Sequence, residues 1–74
     1  MSKPNQHVVP NGNKWSVRKA GASRASSTHA TQAEAISAGI KRAKKDGTEL
    51  YVHGRDGRIR ERNSYGNDQH PPQG

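Results

Sequence analysis

Apolar residues in this chain fall into short groups separated by turn-forming residues, and the spacing inside each group predicts its element. His7, Val8 and Val9 form a β-prone run, Pro10-Asn11-Gly12-Asn13 carries turn chemistry, and Lys14 to Lys19 alternates polar with apolar residues, as a half-buried strand does. Successive strand side chains point to opposite faces. Trp15 and Val17 are therefore expected inward, with Lys14, Ser16 and Arg18 on the other side. From Ala20 to Ala30 the chain is rich in Ser, Ala and Gly and has no period, so it reads as a loop with at most an extended stretch.

A change of period follows. Thr31-Gln32-Ala33-Glu34 has the form of a capping box, in which Thr31 accepts from the Glu34 amide and the Glu34 carboxylate reaches back to the amide of Thr31. The helix is expected from Gln32 to about Lys45, with Ala33, Ile36, Gly39, Ile40 and Ala43 on one stripe, Glu34, Lys41 and Lys45 opposite, and Gly47 as the stop. Glu49 to His53 predicts a third strand, Asp56-Gly57 a two-residue hairpin turn, and Arg58 to Asn63 a fourth strand. Leu50, Val52 and Ile59 are expected to face the helix. If both strands are regular, Tyr51 and His53 share the far face with Arg58, Arg60 and Arg62. The fold expected is α+β: a compact ββαββ domain, two β-hairpins forming one sheet with a single helix packed on one face.

Composition bounds this picture. The 74 residues hold one domain, expected over 7–66 between a flexible lead-in, 1–6, and a disordered tail, 67–74. Only 27% of residues are hydrophobic, there is no Phe, and Leu, Ile and Val number eight. Such a composition borders on that of disordered chains, yet the few apolar residues recur at regular positions between cap and turn signals, which favours folding. The core is thin and stability marginal, which makes a homodimer one expectation. Without Cys there is neither a disulfide nor a thiolate metal site, and no apolar run reaches the length of a membrane span or signal-peptide core. A cytoplasmic location is the expectation.

Charge supplies the candidate chemistry. Thirteen Lys and Arg against six Asp and Glu give a net charge of +7, which favours polyanionic partners. Arg55, Arg58, Arg60 and Arg62, interleaved with Tyr51 and His53, form the first candidate nucleic-acid-binding array: guanidinium groups every second residue contact successive phosphates while a ring stacks on an unpaired base. The plain alternative is a solvated face whose charges keep edge strands apart. Lys41, Arg42, Lys44 and Lys45 form a second cluster, which also suits the negative end of the helix dipole.

His7, His29, His53 and His70 lack the close spacing of a metal-ligand motif, so no metal or cofactor is expected. Asp46, Glu49, Asp56 and Glu61 form no recognisable acid–base pair, and no nucleophile lies in a known motif; the expectation is a non-enzyme with no small-molecule substrate. Trp15 is expected in the core beneath the helix beside Ile36 and Ile40. Two functions remain open. One is a non-catalytic basic module that contacts the phosphates of DNA or RNA; the other is a protein-interaction or homodimerisation module whose charge serves solubility and partner choice.

Four segments carry a family resemblance: His7-Val8-Val9-Pro10, Trp15-Ser16-Val17-Arg18, Thr31-Gln32-Ala33-Glu34-Ala35-Ile36, and Val52-His53-Gly54-Arg55-Asp56-Gly57-Arg58-Ile59-Arg60-Glu61-Arg62 followed by Ser64-Tyr65-Gly66. Together the chain resembles a small, mostly bacterial family catalogued as domain of unknown function two-one-eight-eight. The resemblance implies a compact ββαββ domain and brings no activity or catalytic residue with it. One departure is His29, where such sequences tend to place an aromatic or apolar residue before the helix cap, so its burial is a point for the structure.

Overall fold

The computed structural model describes residues 4–65; the expected tail, 67–74, and the first three residues of the expected lead-in lie outside them. The elements in chain order are β1 (Gln6–Asn11), β2 (Lys14–Lys19), β3 (Ser27–His29), α1 (Gln32–Asp46), β4 (Glu49–His53) and β5 (Ile59–Ser64). They form one sheet of order β3-β2-β1-β4-β5 with the helix across one face. β1 and β4 pair in parallel at the centre, Val8 opposite Val52, and the other three pairings are antiparallel. The helix is the crossover that a central parallel pair requires. β3 extends the expected two-hairpin sheet by three residues, pairing with β2 at Trp15–His29 and Val17–Ser27.

Local signals account for the helix. Thr31 has an extended backbone and its hydroxyl accepts from the Glu34 amide at 3.2 Å; Gly47 ends the helix at φ 69°, ψ 42°, a left-handed conformation that costs an L side chain energy. Ala35, Gly39 and Ala43 are buried, and Ile36, Ala38 and Ile40 pack partly against the core. Ala33, expected on this stripe, is exposed, because the buried line runs through 35, 39 and 43. A Cβ on Gly39 would lie 2.8 Å from Leu50 Cδ1 and 3.2 Å from Val8 Cγ2, so glycine lets the helix rest directly on β1 and β4.

The helix-facing side of the sheet holds Val8, Trp15, Val17, Leu50 and Val52, all buried, and Gln6, whose amide donates to Asp46 Oδ2 at 3.4 Å. Ile59 corrects the expectation. The loop after β4 contains three residues, Arg55, Asp56 and Gly57: the Gly57 amide donates to the Gly54 carbonyl at 2.9 Å, the Gly54 amide to the Arg58 carbonyl at 2.7 Å, and Gly57 has φ 90°. This is a three-residue hairpin loop whose β-turn is closed by a positive-φ glycine, one residue longer than the Asp56-Gly57 turn expected. A bulge at Arg60 absorbs the difference, so Val52 still pairs with Glu61 but His53 pairs with Ile59. Ile59 is thereby turned to the open face and is 57% exposed. At the far end of the sheet the two boundaries of the domain meet: Asn5 Oδ1 accepts from the Glu49 amide at 3.1 Å, and the Tyr65 amide donates to the Thr48 carbonyl at 3.2 Å.

Candidate nucleic-acid interface

The four arginines of the C-terminal hairpin do not form one array. Arg55 crosses to the other hairpin, where Nη1 donates to the Gly12 carbonyl at 3.0 Å and the guanidinium carbon lies 4.9 Å from the centre of the Trp15 ring. Arg60, displaced by the bulge, donates to Gln32 Oε1 at 2.9 Å, while the Gln32 amide donates to the His53 carbonyl at 3.2 Å. Arg58 is exposed beside Asp56, Nε to Oδ2 3.9 Å. Arg62 alone keeps the expected place across from Tyr51.

Tyr51 and His53 belong to a row of upright rings on the open face. His7 stacks on Tyr51 with centroids 5.0 Å apart and planes 18° from parallel, so one face of Tyr51 is already covered. The Tyr51 hydroxyl donates to Glu49 Oε1 at 2.7 Å. That bond is the chief reason the Glu49 carboxyl titrates below its ordinary range, with Ser64 and Arg62 adding to it against a smaller desolvation effect; the same bond raises Tyr51.

On the other side of His7, Nδ1 lies 2.9 Å from His53 Nε2. The ring centroids are 5.2 Å apart, about the nitrogen separation plus one ring radius at each end, so the rings meet end-on. That is the geometry of an N–H···N hydrogen bond; two ligands of one metal ion would converge at an angle. Among the described residues no three His, Asp or Glu side chains come together as metal ligands. His53 Nδ1 lies 3.2 Å from the Gly57 carbonyl, which only accepts, so Nδ1 carries the proton. Nε2 of His53 then accepts from His7 Nδ1–H, and His7 Nε2 is left bare. Burial, and then the nearby His53, hold the His7 pKa below its usual value.

Beside these rings an open hollow of about 300 Å³ is lined by His7, His53, Val9, Arg18, Lys19 and the Ala20–Ala22 turn. The third feature lies on the helix side. Lys41, Arg42 and Lys45, with Ala38, follow the i, i+3, i+4, i+7 stripe of α1 and face Ser27 and His29 of β3 across a hollow of about 390 Å³. His29 is half-buried and its Nε2 lies 2.8 Å from Ser27 Oγ. No carboxylate lies within ion-pair distance of these three cations among the described residues. Lys44 points elsewhere, over the Tyr65 ring at 5.7 Å.

The sequence therefore identified the cations on the helix side of this cleft and missed its strand side, because β3 has no period of its own. It also missed His7, whose meeting with His53 depends on the parallel pairing of β1 with β4.

Residues 6–65 match the family model described as an uncharacterized protein conserved in bacteria (DUF2188). The chain belongs to this family. The DUF2188 region takes in all five strands and the helix, so the cleft and the row of rings are both built from it. No curated protein and no solved structure matches the chain. No helix among the described residues is long and apolar enough to cross a membrane.

Proposed function

We propose that this DUF2188 domain is a non-catalytic nucleic-acid-associated module that contacts backbone phosphates through the cleft between α1 and β3. The observation that carries this reading is the stripe of Lys41, Arg42 and Lys45, exposed, unpaired with any described carboxylate, and facing a hollow beside an edge strand. Cations held on a helix present a fixed charge pattern to a phosphodiester, and counterion release makes such binding steeply salt-dependent and largely indifferent to sequence. Arg58, just before β5, and Arg62 on it add positive charge at that edge, whereas Arg55 and Arg60 are engaged within the fold. The lack of Cys fits a reducing cytoplasm.

The test is fluorescence anisotropy of labelled single-stranded and duplex DNA and RNA at two salt concentrations. Micromolar binding that weakens with salt is expected, with at least about a tenfold loss in Lys41→Ala/Arg42→Ala/Lys45→Ala and a smaller one in Arg58→Ala/Arg62→Ala. Absence of binding at low salt sinks the reading. A protein-interaction module is the second reading, favoured by Ile59, 57% exposed on an uncovered sheet face; it predicts a complex that survives moderate salt.

A further inference from the structure

The open face of the sheet holds a cation arrangement that the α1 cleft does not use. Its centre is the pair of rings: His53 is committed to the Gly57 carbonyl through Nδ1 and to His7 through Nε2, so of the two unprotonated nitrogens of the neutral pair only His7 Nε2 has no hydrogen-bond partner among the described residues. That ring lines a hollow of about 300 Å³ with Arg18, Lys19 and the Ala20–Ala22 turn. Arg18 spends one N–H on the Ala22 carbonyl at 2.7 Å, which fixes the guanidinium and leaves its other donors available. Protonation of the pair therefore goes to His7 Nε2 and converts the one free acceptor into a donor, placing a third cation beside Arg18 and Lys19.

We propose that this hollow binds a tetrahedral oxyanion of the phosphate-monoester class, and that the His7–His53 pair takes up one proton as the anion enters. Three cations around one hollow repel one another unless a dianion joins them. The low affinity of His7 for a proton in the free protein then becomes the reserve that anion binding draws on. The charged and titratable groups facing His7 agree with this. β2 contributes Arg18 and Lys19, β4 contributes His53 and Tyr51, and β5 contributes Arg62 beyond Tyr51. The carboxylate beside the row, Glu49, accepts from the Tyr51 and Ser64 hydroxyls. The site stands apart from the α1 cleft and does not rest on it.

The experiment follows the imidazole resonances of His7 and His53 by NMR while sulfate, which stays a dianion near neutral pH, is added at about pH 7.5 and about pH 5.5. Sulfate is expected to raise the His7 pKa by about one unit, and so to bind several-fold more tightly at the lower pH, with about tenfold as the ceiling. His7→Gln is expected to flatten the pH dependence, and Arg18→Gln to abolish the shifts. Should His7→Gln fail to fold, Lys19→Gln is expected to weaken binding without flattening the pH dependence. Sulfate binding that is independent of pH, or shifts confined to the α1 cleft, would overturn the proposal. So would loss of the His7 shifts in Lys41→Ala/Arg42→Ala/Lys45→Ala, a result that leaves the phosphate-contact reading of the cleft in place. A 5′-phosphorylated oligonucleotide compared with its unphosphorylated twin separates the sources: a preference for the phosphorylated strand at His7 identifies a nucleic-acid end, sulfate shifts with no response to either strand identify a free anion as the ligand, and equal shifts from both strands would overturn the monoester assignment.

Discussion

Trp15 is 5% exposed although it lies near the open end of the sheet, and Arg55 accounts for part of that burial. A guanidinium over an indole contributes about 0.5–1 kcal/mol at an exposed site, and its stem adds packing. Arg55→Ala is expected to lower stability by about 1 kcal/mol and to shift Trp15 emission to the red; unchanged emission would show that the ring is covered without it. His7 makes a prediction of the opposite kind, in which nothing is removed but a proton is added. In the unfolded chain His7 titrates near 6.5, and in the fold its pKa is lower, chiefly through burial. The folded state thus prefers the neutral ring, and this contribution is present at neutral pH and is lost as pH falls below about 6.5. Urea midpoints measured from neutral pH downward should fall in that window, and His7→Gln should remove the decline. Glu49, lowered from 4.5, adds its own loss only in more acidic solution, so the two are separable.

β5 shows how charge on an edge strand governs association. A pairing of two copies edge to edge, about an axis normal to the sheet, sets one residue opposite itself. Centring on Arg60, Glu61 or Arg62 opposes like charges, which destabilises the pair. Replacing the three together, Arg60→Thr/Glu61→Thr/Arg62→Thr, is expected to convert the protein to dimers or larger species in sedimentation velocity; a persistent monomer would show that the bulge alone protects the edge. The same strand marks where local reasoning stops. The Thr31 cap and the Gly47 stop are written in neighbouring residues, so the helix was legible to within a residue. Asp56-Gly57 correctly announced a turn, and the register from Leu50–Asn63 to Val52–Glu61 is the one a two-residue loop requires. One extra loop residue, compensated at Arg60, is enough to turn Ile59 to the other face. β3 was not legible because it exists only to pair with the outer edge of β2. For the same reason the basic stripe of α1 was readable while Ser27 and His29 opposite it were not.

Among the described residues the core consists of seven buried apolar side chains: Val8, Trp15, Val17, Ala35, Ala43, Leu50 and Val52. Leu50 is the largest fully buried one and carries the contact with Gly39. Leu50→Ala is expected to cost about 3 kcal/mol, a large share of the roughly 5–15 kcal/mol that holds a typical domain together. Its amide NMR spectrum should collapse toward that of an unfolded chain at temperatures the parent protein tolerates; retained dispersion would mean that the helix settles into the vacated space. The parallel seam also places both hairpin turns at one end of the sheet, joined by Arg55 and Gly12. At the other end Asn5 and Tyr65 are fastened to the adjacent residues Glu49 and Thr48. The domain is thus entered and left at one point, as a cassette is. A host protein that opens a surface loop there can accommodate it without being stretched, and a short peptide from 65 back to 5 would close it into a ring that can be reopened at the Gly12-Asn13 turn.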